Sequence, residues 1–177
     1  MPSVTTVLRP LHDFSMIPPD KLEVARQRGV ATHRMVELDA KGDLDEDALP
    51  EWLVYPLNQW RKFCDDTSFK VLESECRVYH PSYRYAGALD LFGTMSGEAV
   101  FLDIKRSFLA GRTIGYQLSA YQEAYCAQNR TGRTAKRYAL RLTESGPYRL
   151  EPFADKSDIQ SFLTCLNWWR LKEKHDI

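Results

Sequence analysis

The segment FLDIKR at residues 101–106 constrains the fold more than any other part of this 177-residue chain. Apolar residues occupy both odd and even positions of this segment, so they would face both sides of a sheet, which is typical of a strand covered on both faces. Side chains two residues apart on a strand share a face, so Asp103 and Lys105 should project together while Leu102 and Ile104 face the core. A surface ion pair is the simpler alternative. The apolar neighbours disfavour it, because a buried Asp and Lys are costly unless a cation or substrate compensates for them.

A second carboxylate, Asp90, lies on the preceding apolar segment, shortly after Gly87. If Asp90 ends a neighbouring antiparallel strand, it converges with Asp103 and Lys105 on one spot. Two carboxylates and an ammonium suit a hard divalent cation and a scissile phosphate. The pattern therefore predicts metal-dependent phosphodiester hydrolysis.

The period of the hydrophobic residues predicts the order of helices and strands. Helices are predicted over residues 18–38, 47–64, 113–129 and 155–174. Strands are predicted over 69–79, 83–93 and 98–105, followed by a second hairpin of 134–142 and 148–152. Alternation on the first strand places Glu73, Glu75 and Arg77 on one face. The prediction is an α/β (α+β) fold, a single domain over residues 1–177 with a central mixed sheet of about five strands flanked by α-helices.

Composition excludes several classes of protein. With 44% apolar and 12% aromatic residues, the chain is not disordered. No apolar run approaches the ~20 residues that span a bilayer. The N-terminus lacks the basic start and apolar run of a secretory signal. We therefore expect the protein to reside in the cytoplasm of a bacterium or a phage-infected host. The cysteines Cys64, Cys76, Cys126 and Cys165 are widely spaced without a CxxC pair, which predicts reduced thiols.

Charge argues against binding nucleic acid through a bulk positive field. Lys+Arg and Asp+Glu both number 24, giving a formal net charge of zero. Residues 106–141 are nevertheless rich in Arg and Lys, so a local basic surface can coexist with overall neutrality. A solvated loop and helix face explains the same residues equally well, and both interpretations remain open.

Five segments, taken in order, resemble the PD-(D/E)XK nuclease superfamily, and within it the RecB-like exonucleases of phages, bacterial recombination and mitochondrial genome maintenance. The segments are RGVATH with Gly29 and His33, LESECRV with Glu75, YAGALDLF with Asp90, FLDIK with Asp103 and Lys105, and YQLSAY with Gln117 and Tyr121. Glu73 competes with Glu75 for the glutamate position. The resemblance implies a restriction-endonuclease-like core.

The resemblance also implies a role for each matching residue. Asp90 and Asp103 would bind one or two Mg²⁺ or Mn²⁺ ions together with the backbone carbonyl of Ile104, and His33 would approach the same ion or a second one. Lys105 would hold or help deprotonate the attacking water and offset charge on the phosphate.

The remaining positions would support these residues. Glu75 would hold a water molecule or a second ion, and Gln117 and Tyr121 would orient Lys105 or the DNA backbone. Many relatives carry Thr or Ser directly after the Lys. Here Arg106 intervenes before Ser107, and both are candidate substrate-binding residues.

The resulting prediction is a Mg²⁺- or Mn²⁺-dependent DNA exonuclease acting on DNA ends or single strands in recombination, repair or phage DNA metabolism. No iron–sulfur cluster is expected, because relatives that hold one carry a Cys before the histidine helix and three near the C-terminus. No GxxxxGK[ST] loop is present, so unwinding would need a helicase; a recombinase or single-strand-binding protein is a further possible partner. The alternatives are a structure-specific nuclease or endonuclease, a non-catalytic DNA- or partner-binding module, and a hydrolase of small phosphoesters.

Overall fold

The computed structural model describes residues 1–12, 15–106 and 111–175. Helices come first, three strands follow, and a helix, two strands and a final helix complete the order. The helices are α1 (Val4–Leu8), α2 (Pro19–Lys41), α3 (Glu51–Thr67), α4 (Thr113–Asn129) and α5 (Asp158–His175), with a 3₁₀ turn at Arg9–Leu11. The strands are β1 (Lys70–His80), β2 (Tyr85–Met95), β3 (Glu98–Lys105), β4 (Lys136–Arg141) and β5 (Arg149–Pro152). Within the described ranges, no helix combines the length and apolar character that a bilayer span requires.

The strands form one five-stranded sheet in the order β1-β2-β3-β4-β5. The pairs β1–β2, β2–β3 and β4–β5 are antiparallel, whereas β3 and β4 run parallel. A parallel pair cannot be joined by a tight turn, and α4 provides the crossover. The predicted α+β fold with a mixed sheet flanked by helices is confirmed.

Two apolar cores cover the two faces of this sheet. On one face, α1, α4 and α5 bury residues such as Phe101 and Phe162. On the other, α2 and α3 bury Trp60 together with Leu102 and Ile104. Strand β3 therefore lies at the centre of the sheet with apolar side chains in both cores, as predicted, and Asp103 and Lys105 sit on a strand that is covered on both sides.

The ends of the elements depend on residues with special backbone geometry. The bounds of β3 and α4 agree with the predicted ones. Helix α2 continues past its predicted end to Lys41, where Gly42 adopts a left-handed φ of 75° and donates to the carbonyls of Asp39 and Leu38. Helix α3 begins later than predicted, at Glu51, because Pro50 is extended, with ψ at 139°.

Strand β1 is irregular, and this contradicts the predicted alternation. The pairing of β1 with β2 shifts register between Val71 and Glu73, and Glu75 has a left-handed φ of 49°. Glu73 consequently contacts the Tyr125 hydroxyl on α4, whereas Glu75 faces His33 on α2. The two glutamates do not share a face, and Glu75 is the one that lies beside His33.

Candidate active site

The point where β2 and β3 stop pairing organises the candidate site. Their ladder runs from the pair Met95–Glu98 to the pair Leu91–Leu102 and ends there. Asp90 is the next residue of β2, so it lies inside that strand, as the predicted bounds of 83–93 have it, and just beyond the last β2–β3 pair. Its Oδ2 accepts a hydrogen bond of 2.7 Å from the Ile104 amide. The Asp90 carboxylate thus binds the backbone of β3 where the ladder has ended.

His33 reaches the same backbone from α2. Its Nε2 lies 2.9 Å from the Ile104 carbonyl oxygen, and since a carbonyl can only accept, Nε2 donates. The other ring nitrogen, Nδ1, lies 3.4 Å from Asp90 Oδ1 and 3.8 Å from Glu75 Oε1. One candidate ligand atom from each of His33, Glu75 and Asp90 lies within 4.8 Å of the others. The structure therefore unites three residues that come from α2, β1 and β2.

Lys105 and Asp103 form a second group on β3. The Lys105 Nζ lies 2.7 Å from Asp103 Oδ2, an atom that is buried and accepts no well-aligned hydrogen bond from the described residues. Gln117 on α4 donates to Asp103 Oδ1 at 2.9 Å and to the Tyr121 hydroxyl at 3.2 Å. We expected Gln117 to orient Lys105 or DNA. It instead orients Asp103, the carboxylate that holds Lys105.

Burial and neighbouring charges shift the pKa values of His33 and Asp90. Burial disfavours the imidazolium of His33, but the charge of Asp90 and hydrogen bonds to Asp90 and Glu75 outweigh it and raise the pKa of His33 to about 10. Burial tends to raise the pKa of Asp90, yet His33, Lys105 and the Ile104 amide lower it overall.

The Asp103–Lys105 pair behaves differently. Burial raises the pKa of Asp103, and Lys105 offsets this only in part. Burial acts to lower the pKa of Lys105, but Asp103 and Asp90 raise it overall. Lys105 is therefore a protonated ammonium at neutral pH.

These residues fit a hard divalent cation. Carboxylate and carbonyl oxygens with one imidazole are ligands that suit Mg²⁺ and Mn²⁺. The oxygens of Asp90 and Glu75 and the Nδ1 of His33 would hold the ion, whereas the Ile104 carbonyl, an expected ligand, instead accepts from His33 Nε2 on the other side of the ring. Asp103 is also close to Asp90 on the adjacent strand, but Lys105 and Gln117 already engage its two oxygens. Glu75 completes the cluster with His33 and Asp90. The sequence alone left Glu73 and Glu75 as competing candidates for this position.

Arg106, a predicted substrate-binding residue, faces a group of residues that the sequence did not single out. Its guanidinium carbon lies 5.0 Å from the centre of the Trp52 ring, and its Nη2 lies 2.5 Å from Glu144 Oε1. Arg28 contacts the same ring and the same carboxylate. Arg28 begins the RGVATH segment, but no sequence signal marks Trp52 or Glu144. The other candidate at this end of β3, Ser107, lies outside the described residues.

Two of the basic residues between 106 and 141 do not contribute to a basic surface. Arg137 and Arg141 are buried, and they form ion pairs with Asp158 at 3.2 Å and Glu151 at 2.6 Å respectively. Burying an arginine beside a carboxylate avoids an unpaired charge in the protein interior. The charges of these two arginines are therefore compensated within the fold and not displayed on its surface.

Two open cavities meet at His33 and Lys105. One, of about 550 Å³, lies between α2 and the end of β3 and is lined by Val24, Arg28 and Arg106. The other, of about 790 Å³, passes over Gly87 and Tyr121 towards α1. The candidate site thus lies between two solvent-filled grooves.

No protein-family model matches this chain, and no curated protein is significantly similar to it. The chemistry of the site is therefore inferred from its geometry and from the motif resemblance described above.

Proposed function

We propose that this protein is a metal-dependent deoxyribonuclease with a restriction-endonuclease-like PD-(D/E)XK core, and specifically an exonuclease of the RecB-like type. The observation that carries this proposal is the meeting of Asp90, Asp103, Lys105 and His33 around the backbone of Ile104, where β2 and β3 part. The carboxylates, the imidazole and the ammonium come from three separate elements, α2, β2 and β3.

The ion would stabilise negative charge on the phosphate oxygens and lower the pKa of a bound water. Lys105 contributes the second positive charge. Because its neighbouring carboxylates keep it protonated, Lys105 donates hydrogen bonds to the attacking water or to a phosphate oxygen and does not act as the base. Asp103 positions Lys105, and Gln117 positions Asp103.

A strand threaded across the site suits the two grooves. They lie on either side of His33 and Lys105 and are open to solvent, which favours a polymer over a small enclosed phosphoester. DNA ends and single strands are thus the proposed substrates, in recombination, repair or phage DNA metabolism in the cytoplasm. A helicase, recombinase or single-strand-binding protein would supply the strand.

The direct test is digestion of 5′- and 3′-labelled single- and double-stranded oligonucleotides, with and without Mn²⁺, alongside closed circular DNA. We expect Mn²⁺-dependent loss of the linear DNA and survival of the circles. Cleavage of the circles would identify an endonuclease or a structure-specific nuclease instead. Absence of cleavage together with absence of ion binding in calorimetry would support a non-catalytic module.

Two variants test the roles of the site residues. Lys105→Ala should abolish cleavage and largely preserve ion affinity. Asp103→Ala should abolish cleavage as well, because Asp103 positions Lys105, and a concurrent loss of ion affinity would identify Asp103 as a further ion ligand, as the motif resemblance implies. Lys62→Ala and Asp66→Ala are matched controls, because Lys62 and Asp66 form an exposed ion pair of 2.9 Å on α3. Undiminished cleavage by either site variant would contradict the proposed mechanism.

A further inference from the structure

Arg28 and Arg106 converge on a single oxygen atom beside the candidate active site. The Nη1 of Arg28 and the Nη2 of Arg106 each lie 2.5 Å from Oε1 of Glu144. A second bond, 3.2 Å from Arg106 Nη1 to Thr32 Oγ1, fixes the Arg106 guanidinium. The two arginines are therefore held as a pair, one from α2 and one from the residue after β3.

Trp52 supports both guanidinium groups. The guanidinium carbons of Arg28 and Arg106 lie 5.5 Å and 5.0 Å from the centre of its ring, within the range of cation–π attraction. The Arg106 side chain is only 13% exposed. This arrangement restricts the motion of two long side chains before any ligand arrives, which lowers the entropy lost on binding.

Positive charge exceeds negative charge around this pair. The charged side chains that line the adjoining cavity are Asp20, Lys21, Arg28, Lys105, Arg106 and Glu144, and the imidazole of His33 lines it too. Two carboxylates thus face four cationic groups and His33, and the cavity leads directly to Lys105. An anionic ligand is the species that this imbalance favours.

We infer that Arg28 and Arg106, supported by Trp52, form a subsite for a phosphate group of the DNA strand adjacent to the bond being cleaved, and that Glu144 occupies this subsite in the free protein. The inference rests on the proposed nuclease function. The phosphate is either an internal diester or a terminal monoester, which offer the same oxygen acceptors.

Phosphate can replace Glu144 at little cost. The Arg28–Glu144 pair is exposed, at 43% and 49% for the two side chains, and such pairs contribute little stability. Both arginines share one oxygen of Glu144, whereas a phosphate offers each guanidinium its own oxygen. Glu144 thus acts as a weak internal competitor that prevents the arginine pair from facing solvent uncompensated.

The test measures binding separately from cleavage. Fluorescence anisotropy in EDTA, where a metal-dependent nuclease does not cut, gives the affinity for a labelled single strand. We expect Arg28→Ala to weaken binding about 10-fold and to reduce the slope of log K against log salt by roughly 0.7, as for the loss of one phosphate contact on a single strand. Arg26→Ala is the matched control, because Arg26 lies on the same helix and pairs with Glu23.

Removal of Glu144 should have the opposite effect. We expect Glu144→Ala to strengthen binding about 3-fold to 10-fold. The Glu144 carboxylate competes with the DNA phosphate for both guanidinium groups, and its removal leaves them free to bind the phosphate. Glu23→Ala makes the same change of net charge at an exposed Arg–Glu pair and should change the affinity less than about 2-fold. Arg106→Lys, which keeps the charge but not the two-pronged donor, should fall between wild type and Arg28→Ala.

Oligonucleotides with a 5′-phosphate, a 3′-phosphate or neither distinguish the sources of the phosphate. An effect of Arg28→Ala on all three indicates an internal diester, and an effect on one phosphorylated strand indicates a terminal monoester. If Arg28→Ala matches Arg26→Ala and Glu144→Ala matches Glu23→Ala on every strand, the subsite is refuted even when the wild type cleaves. Failure of the wild type to cleave with Mn²⁺ refutes the nuclease proposal and leaves these affinity comparisons interpretable.

Discussion

Gly87 allows Tyr121 to approach the sheet, and replacing it with alanine should damage both stability and activity. An added Cβ would lie 2.4 Å from Cε1 and 2.9 Å from Cδ1 of the Tyr121 ring. Carbon atoms in ordinary contact are ~3.5–4.0 Å apart, so the ring must move by about 1 Å. Tyr121 is only 3% exposed, so its ring is packed against other atoms over most of its surface.

The expected loss of stability follows from this clash. Overpacking of a close-packed core typically costs ~1–3 kcal/mol. For a domain of this size, each 1 kcal/mol lowers the Tm by ~2–4 °C, so Gly87→Ala should melt roughly 2–12 °C below the wild type in a metal-free thermal scan. Gly29→Ala is the control. Its Cβ meets no atom within 4 Å in the interior of α2, and it should stabilise the fold by ~0.5–1 kcal/mol.

The clash should also reach the active site. The Tyr121 hydroxyl accepts from Gln117, which in turn holds Asp103 at 2.9 Å. Displacement of reacting groups by about 1 Å can reduce a rate ~100-fold, so cleavage should fall more steeply than stability alone explains.

A double-mutant cycle identifies the cause. Tyr121→Leu removes the atom at Cε1, so Gly87→Ala should cost much less in that background than in the wild type, giving a coupling of about 1 kcal/mol or more. The reasoning is refuted if Gly87→Ala melts and cleaves like the wild type, or if its cost is unchanged when Tyr121 is leucine.

Three further predictions concern the ion, the strained glutamate and a buried histidine. Mn²⁺ at 100 times its Kd should stabilise the wild type by about 2.7 kcal/mol in a thermal scan, and Asp90→Asn should lose this shift. Glu75→Gly should remove the left-handed strain, leaving the metal-free protein as stable as the wild type or up to about 1 kcal/mol more stable in urea denaturation, while Mn²⁺ affinity falls. Burial lowers the pKa of His80 below 6.5, with Glu123 opposing, so NMR should find its imidazole titrating below that value. Its contribution to stability should therefore be present above pH 6.5 and lost as the pH falls through the folded-state pKa, and His80→Gln should remove this dependence.

Local patterns predicted the elements that carry the chemistry. Strand β3 and helix α4 begin and end where alternation and helical periodicity place them, because both signals arise within one segment of chain. The pairing of Asp103 with Lys105 followed from the same alternation, since residues two apart on a strand share a face. The sequence likewise marked His33, Asp90 and Gln117, which the structure brings to one place.

Long-range contacts decided the features that the sequence did not reveal. His80 is only 6% exposed, because the rings of Tyr83 and Tyr85 pack against it, and no local pattern in the sequence marks this burial. The group of Arg28, Trp52 and Glu144 forms across a separation of up to 116 residues, which no local periodicity encodes.

The sequence alone therefore determined the order of the long helices and the strands and the chemical types of the site residues. Tertiary structure decided which of those residues meet. A register shift and one left-handed residue in β1 send Glu73 and Glu75 to opposite faces, and the end of the β2–β3 ladder places Asp90 against the backbone of Ile104. Both outcomes depend on how the strands pair across the sheet. That pairing is set by contacts between residues that are distant in the chain.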